Sequence, residues 1–250
     1  MPNRIEVQEV ALAGADVHGN QILEVLLPRA IGGVETRYFL QPEGAERTVT
    51  RQANKGYALL FFTGDGEISS GRSAHRFSEA AAIAGTANRP NRITATGACL
   101  EYVEVTIDLK QDEYAAVQDR EDFFVLVSRC VPYQEAIKSA TTVSRTIIPP
   151  EVIPRFCMGS VEALGPDAVA SHAHPMLEQF FFGLPGNACV VTADDAGASF
   201  GERALLHIPP GSHHGVQVGR GRRMHYVWMD FFRSEEDLAY IREQHKPVTG

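Results

Sequence analysis

The residues of this chain that could support chemistry are its histidines. Seven of the nine lie in the last third of the sequence. The informative ones fall in two segments: residues 171–178 read Ser-His-Ala-His-Pro-Met-Leu-Glu, and residues 208–214 read Ile-Pro-Pro-Gly-Ser-His-His. Because side chains alternate along a strand, we expect His172 and His174 to share one face and Glu178, of the same parity, to meet them. A neighbouring strand would supply a fourth ligand. Imidazole nitrogens with one carboxylate suit a divalent first-row metal such as Zn, Mn, Fe, Co or Ni.

The elements that would position these residues recur at about half the chain length. Tyr102 and Tyr226 stand 124 positions apart in similar strand-like runs, and Phe62 and Phe182 stand 120 apart in another such pair. Short strands separated by Gly, Pro and Asp are typical of antiparallel sandwiches or barrels, and a helix is expected from Ser234. The sequence therefore predicts two similar β-barrels. Two unrelated β-regions of similar composition remain the alternative.

The two histidine segments resemble the two signature motifs of the cupin superfamily. The first reads His172-x-His174-x3-Glu178, and the second is a Pro-x-Gly-x2-His run that ends at His214. In cupins, the corresponding side chains bind one metal inside a small β-barrel, so the resemblance implies these four residues as ligands of one divalent transition metal (Zn, Mn, Fe or Ni). The sequence departs from the family pattern in its turns and at Val218, where asparagine is frequent. A histidine-rich strand pair without a metal is the alternative.

The resemblance implies an all-β fold of two tandem cupin barrels, also called double-stranded β-helix or jelly-roll barrels, with a few short helices. We expect domain 1–140 to be an N-terminal barrel that lacks metal ligands, and domain 141–250 to be the metal-binding barrel. The reason is that subtracting 120 from the ligand numbers reaches no histidine or carboxylate. The residues at those positions are Gln52, Asn54, Ala58 and Thr94.

Two-barrel cupins of this size with one C-terminal site resemble the keto-uronate and deoxyglucuronate isomerases. This likeness implies a metal-dependent enzyme of isomerase or lyase type, acting on a small polar hydroxy-carbonyl or sugar-acid-like substrate. Gln179, His225 and Tyr226 are the candidate catalytic residues. Three alternatives stay open: an Fe(II)-dependent dioxygenase with the same ligands, an aminohydrolase, and a non-catalytic metabolite-binding cupin.

Composition excludes several other classes of protein. The 250 residues carry a formal net charge of −8, which disfavours binding to a nucleic-acid backbone. No apolar run approaches the roughly 18 residues that span a bilayer, and the N-terminal segment has no signal-peptide core. The four cysteines form no CxxC pair and are expected to be free thiols. We therefore expect a cytoplasmic homodimer that binds a small-molecule substrate, with no nucleic-acid or membrane partner.

Overall fold

The computed structural model consists almost entirely of β-strands. It describes residues 5–10, 22–71, 73–86, 89–234 and 236–238. Beside the strands, it contains a short α-helix, α1 (Gln111–Val117), and a 3₁₀ turn, Val127–Arg129. The expected helix from Ser234 lies mostly outside the described residues, although the Ser234 backbone N donates to Asp237 Oδ2 at 3.1 Å, as a helix cap would require.

The strands are numbered in chain order. Those of the first half are β1 (Glu6–Glu9), β2 (Ile22–Leu26), β3 (Val34–Pro42), β4 (Glu46–Val49), β5 (Lys55–Thr63), β6 (Gly66–Ser70), β7 (Ser73–Phe77), β8 (Ala81–Gly85), β9 (Asn91–Ala95), β10 (Cys99–Asp108) and β11 (Phe123–Leu126). Those of the second half are β12 (Pro132–Tyr133), β13 (Val143–Ile153), β14 (Phe156–Leu164), β15 (Asp167–His172), β16 (Leu177–Gly183), β17 (Ala188–Ala193), β18 (Ala196–Gly201), β19 (Ala204–Ile208), β20 (His214–Val218) and β21 (Arg223–Phe232).

The chain divides into two compact units. The N-terminal unit comprises the described residues of Val10–Arg129 and Glu151–Pro154, and the C-terminal unit comprises those of Met1–Glu9, Cys130–Pro150 and Arg155–Gly250. The N-terminal unit has a six-stranded sheet in the order β11-β8-β5-β10-β3-β2 and a four-stranded sheet in the order β4-β9-β6-β7. The C-terminal unit has the orders β1-β19-β16-β21-β14-β13-β12 and β15-β20-β17-β18. The two units share one strand order, except that β12 has no counterpart in the six-stranded sheet.

The unit boundaries differ from the expected ranges in two places. Strand β1 pairs antiparallel with β19, with Glu6 opposite His207, so the N-terminal strand belongs to the C-terminal unit. Residues 130–140 belong to that unit as well. The reason is that a strand of two to four residues carries no local signal of which sheet it will join; long-range pairing decides this.

Each unit has its own core, built from the inward faces of its two sheets. In the N-terminal unit, Phe39 and Tyr102 stack with ring centroids 5.0 Å apart. In the C-terminal unit, Phe181 and Tyr226 lie 4.9 Å apart between centroids. Burial of such aromatic side chains, at about 25 cal/mol per Å² of apolar surface, is the main driving force for closing the two sheets on each other.

Two sequence expectations concern the covalent and membrane context. All four cysteines are free thiols in the structure. Within the described part of the chain, no helix has both the length and the apolar character needed to cross a bilayer.

Candidate metal centre

Three histidines converge in the C-terminal unit. His172 ends β15, His174 follows in the next turn, and His214 begins β20 directly opposite His172 in the strand pairing. One ring nitrogen from each lies within 4.8 Å of the others. Within the ranges described, these three form the one cluster of metal-type side chains close enough to share an ion. Three of the four side chains that were expected to meet therefore lie together.

The local backbone explains how this convergence is held. The β15–β20 ladder has an irregularity between Val169 and His172, which redirects the end of β15. The Pro-Gly turn before β20 is tied to the first motif, because the Gly211 backbone N donates to the His174 carbonyl O at 3.3 Å. Gly211 itself has a φ of +77°, in the left-handed region that favours glycine. The turn thus fixes His174 and His214 relative to each other.

Hydrogen bonds set the tautomer of two of the rings. His172 Nδ1 lies 2.8 Å from the Ala170 carbonyl O, and His214 Nδ1 lies 3.1 Å from the Ser212 carbonyl O. A carbonyl oxygen only accepts, so Nδ1 carries the proton in both rings and Nε2 keeps its lone pair. This arrangement is the usual one for metal-binding histidines, whose other ring nitrogen is oriented by a backbone or carboxylate acceptor.

Burial keeps the His172 and His214 rings neutral. Burial lowers the pKa of His214 to about 3, with a further contribution from His172 beside it. Burial also lowers the pKa of His172. Because only the neutral imidazole can donate a lone pair, both side chains are in the metal-binding form at neutral pH.

Gln179 lies in the same cavity as the histidines. Within β16, alternation directs Leu177, Gln179 and Phe181 inward. The Gln179 Nε2 donates to Asp230 Oδ1 at 2.7 Å, while its Oε1 is buried and receives no hydrogen bond from the described residues. The Gln179 side chain is therefore held by Asp230, and its amide oxygen remains available as an acceptor in the cavity.

Glu178 corrects the expected ligand set. Its carboxylate Oε2 lies 3.5 Å from Nε2 of His207, which is on the neighbouring strand β19, and it takes no part in the three-histidine cluster. The physical reason is that residues 173–176 leave the strand and form a turn, so parity counted across them from His174 does not hold. Counted within β16, the inward residue is Gln179.

The structure separates the other two candidate catalytic residues. Tyr226 lines the cavity, and burial raises the pKa of its phenol well above the ordinary value, so it stays protonated. His225 is the next residue on β21 and lies outside the cavity lining, with Nδ1 3.0 Å from the Pro185 carbonyl O. Adjacent residues on a strand face opposite sides, so His225 lies away from the cavity that Tyr226 lines.

Sequence reasoning missed the residues that complete the cavity. Tyr133, Glu135 and Lys138 line it from the segment before β13. The Lys138 ammonium pairs with the Glu135 carboxylate and donates to Ser144 Oγ at 3.0 Å. No motif marks this segment, which the sequence assigned to the end of the first barrel.

The cavity itself is small and mixed in character. Its volume is about 40 Å³, and aromatic and aliphatic walls surround the polar groups. Trp228 forms part of this wall, and its indole ring packs against Gly159. A Cβ atom at Gly159 would lie only 2.2 Å from Trp228 Cζ2. Opposite, Asp230 is fully buried, and burial raises its pKa to about 7.

The matching region of the N-terminal unit is built differently. The first residue of β9, which corresponds to His214 at the start of β20, is the buried Asn91. Near it, Arg51 Nη1 lies 2.7 Å from Asp122 Oδ1, and both side chains are almost fully buried. Asp122 also accepts from Ser70 Oγ. A guanidinium–carboxylate pair thus occupies this end of the first unit.

Comparison with solved structures finds proteins of similar architecture. No protein-family model and no curated protein matches the sequence. An IolB-like protein from Salmonella typhimurium has a TM-score of 0.71 at 14% identity, over 96% of this chain and 99% of that chain. The oxalate decarboxylase of Lactobacillus farciminis, in a formate complex, has a TM-score of 0.68 at 11% identity, over 92% and 86% of the two chains.

A cupin 2 conserved barrel domain protein from Leptotrichia buccalis has a TM-score of 0.57 at 15% identity, over 86% of this chain and 89% of that chain. At these identities the likeness concerns the fold alone. The chain has an all-β cupin fold, and the predicted fold class is confirmed.

Proposed function

We propose that the C-terminal unit is a metal-dependent enzyme of isomerase or lyase type, acting on a small polar hydroxy-carbonyl or sugar-acid-like substrate. The observation that carries this proposal is the convergence of three histidines within 4.8 Å, in one cavity with Gln179 and an acid–base pair, Glu135 and Lys138. The cupin fold accommodates many chemistries, so the function is argued from the site.

The donor set fits a divalent transition metal. His214 Nε2 and Gln179 Oε1 are both buried, and neither has a hydrogen-bond partner among the described residues. Each such orphaned acceptor costs about 1–3 kcal/mol, a cost that a bound cation would remove. Three imidazole nitrogens and one amide oxygen suit Zn, Mn, Fe or Ni. His172, His174, His214 and Gln179 would hold the ion, which when bound supplies a Lewis acid that polarises a carbonyl.

The remaining polar groups of the cavity have separate roles. Moving a proton between adjacent carbons needs a base near the reacting C–H bond. We assign this role to the Glu135 carboxylate, which lines the cavity and pairs with the Lys138 ammonium. The Tyr226 phenol, kept protonated by burial, donates a hydrogen bond to a substrate oxygen. Asp230 is a positioning residue, since it accepts from Gln179 and fixes the orientation of that amide.

The walls of the cavity contribute by excluding water. Phe181, Trp228, Val161 and Val216 surround the polar groups. A dry surrounding strengthens electrostatic contacts to charge that develops on the substrate. The oxalate decarboxylase among the structural neighbours supports an enzyme on this fold, without fixing the reaction. The expected homodimer and cytoplasmic location remain predictions.

Two measurements test the proposed function. Elemental analysis of the purified full chain should find about one divalent transition metal per chain, which His174→Ala should lose. The protein should then exchange the hydrogen next to the carbonyl of a small hydroxy-ketone or keto-acid with deuterium from D₂O, seen by proton NMR. Metal with no exchange, but with oxygen consumption, would replace this proposal by a dioxygenase. A protein without metal or turnover would reject an enzyme at this site.

A further inference from the structure

Lys138 is an unusual residue of the cavity because its charged side chain is only 6% exposed. Lysines are almost never this buried unless they are paired. Its backbone is fixed beside β15: Lys138 forms an isolated bridge with Val169, and the Ala170 backbone N donates to the Ile137 carbonyl O at 2.8 Å. The backbone at Lys138 is therefore placed by its pairing with β15, and the ammonium is held by Glu135 and Ser144.

The loop that follows Lys138 is anchored on one carboxylate. Asp167 Oδ2 accepts from Ser139 Oγ at 2.8 Å, from Thr142 Oγ1 at 3.0 Å and from Thr141 Oγ1 at 3.2 Å. These hydrogen bonds tie the segment after Lys138 to the first residue of β15. A segment that is ordered before a ligand binds reduces the entropy cost of binding.

The ammonium has one donor to spare. Of its three N–H groups, one bonds to Glu135 and one to Ser144. Among the described residues the third has no oxygen or nitrogen acceptor, and Nζ lies 5.4 Å from the centroid of the Tyr133 ring. The ammonium therefore has an N–H group with which it can form a charge-assisted hydrogen bond to an anionic oxygen of a ligand in the cavity.

The net charge of the cavity also favours an anionic ligand. The candidate ligands, three histidines and Gln179, bring no negative charge to the metal site. With a divalent ion bound, the cavity stays net positive even when both Glu135 and Asp230 are ionised, because Lys138 adds its own charge. Such a site favours a negatively charged substrate over a neutral one of the same shape.

We propose that the Lys138 ammonium binds a carboxylate of the substrate, so that the cavity selects small hydroxy- or keto-acids over neutral hydroxy-carbonyl compounds. The proposal rests on the proposed function, since it names the substrate class of that same site. The volume of about 40 Å³ limits the buried end of the substrate to a few heavy atoms. Lys138 is thus a specificity-determining residue.

Glycolate and glycolamide form a matched pair of probes, because they have the same shape and differ in the charge of the carboxyl group. We expect the Zn²⁺-loaded wild type to bind glycolate at least tenfold more tightly than glycolamide in isothermal titration. Lys138→Met should reduce this preference about tenfold and leave glycolamide affinity within twofold. The control is Lys110→Met on the other unit, whose side chain is 65% exposed; it removes the same charge and should change neither affinity.

A second variant acts in the opposite direction. Glu135→Gln removes the internal partner of the ammonium and should strengthen glycolate binding several-fold, without a similar gain for glycolamide. The proposal is overturned if the folded Lys138→Met protein keeps the wild-type preference, if Glu135→Gln weakens glycolate selectively, or if the wild type does not distinguish the probes. If Lys138→Met does not fold, Glu135→Gln decides.

Failure of the proposed function has a different signature. If the wild type takes up no metal, the three-histidine centre is rejected. The same titrations on the metal-free protein then still report whether Lys138 selects the carboxylate. If metal is bound and exchange activity is present while the preference is unchanged in Lys138→Met, only the role of Lys138 is rejected.

Discussion

Gln179 donates through Nε2 to Asp230 Oδ1 at 2.7 Å, and both side chains are buried. This bond leaves the Gln179 carbonyl oxygen to the cavity and makes Asp230 the residue that orients it. The pair joins two neighbouring strands, β16 and β21, on which these residues stand directly opposite each other.

The first prediction concerns this pair. Asp230→Leu removes the acceptor that orients Gln179, and loss of such an outer partner typically lowers metal affinity 10–100-fold. Asp230→Asn keeps an acceptor oxygen and should keep affinity within a few-fold of the wild type. Zn²⁺ affinities from competition with a chelator check both variants. Equal affinities for Asp230→Leu and the wild type would show that Gln179 does not depend on this bond.

The second prediction separates Glu178 from Gln179. We expect Glu178→Ala to retain about one metal per chain, because its carboxylate lies beside His207 and not among the three histidines. Gln179→Ala should weaken metal binding, and His214→Ala should abolish stoichiometric binding. Elemental analysis after dialysis distinguishes the three. Metal loss in Glu178→Ala alone would restore the ligand set that the motif implies.

The third prediction concerns stability against pH in the metal-free protein. The pKa of His214 is lowered from 6.5 to about 3 by burial, so below pH 6.5 the unfolded chain binds a proton that the folded chain does not. The free energy of unfolding should therefore fall as pH decreases through this window, by about 2–3 kcal/mol between pH 6.5 and 4.5.

Urea denaturation at several pH values measures this dependence. His214→Gln should reduce the slope, since the variant has no group to titrate at this position, while His172, whose pKa burial also lowers, still contributes. His213→Gln, a change at the exposed neighbouring histidine, is the control and should keep the wild-type slope. A slope that is the same in His214→Gln and the wild type would assign the pH dependence to other groups.

The fourth prediction concerns the packing of the cavity wall. Gly159→Ala places a Cβ 2.2 Å from Trp228 Cζ2 and 2.4 Å from the Arg145 carbonyl O, and the latter cannot move without breaking the sheet. We expect a loss of about 1–3 kcal/mol in the free energy of unfolding, measured by circular dichroism in urea. Gly197→Ala, where no atom lies within 4 Å of the added Cβ, should cost much less.

The fifth prediction concerns the buried ion pair of the N-terminal unit. Asp122→Ala leaves the Arg51 guanidinium without its carboxylate and should destabilise the protein by about 3–5 kcal/mol, with no change in metal content. Asp108→Ala removes a carboxylate from the more exposed pair with Lys55 and should cost no more than about 1 kcal/mol. Similar losses in both variants would contradict the importance of burial here.

Part of the candidate site follows from sequence. His172 and His174 stand two residues apart, so spacing predicts that they lie together, whereas His214 is 40 residues away and was implied by the resemblance of its segment to the second cupin motif. Glu178 lies away from the three histidines because the chain leaves the strand at residues 173–176, a segment that includes His174, and turn geometry cannot be derived from alternation. The shared strand order of the two units was likewise visible as an internal repeat.

The missed residues share a different cause. Lys138 is brought to the cavity by its backbone pairing with Val169, about thirty residues later in the chain. No sequence pattern predicts that contact. Strand β1 joins β19 across nearly the whole chain for the same reason. Long-range placement of short segments depends on the assembled sheet, which single-sequence periodicity does not encode.

Trp228 is the single tryptophan of the chain, and it lines the candidate site in the C-terminal unit. Its indole emission therefore comes from the cavity wall alone, with no background from elsewhere in the protein. Entry of a metal ion or a small acid should alter that emission through a change in local polarity or by quenching. The chain thus carries a built-in optical reporter, with which occupancy of the site can be titrated without label or known substrate.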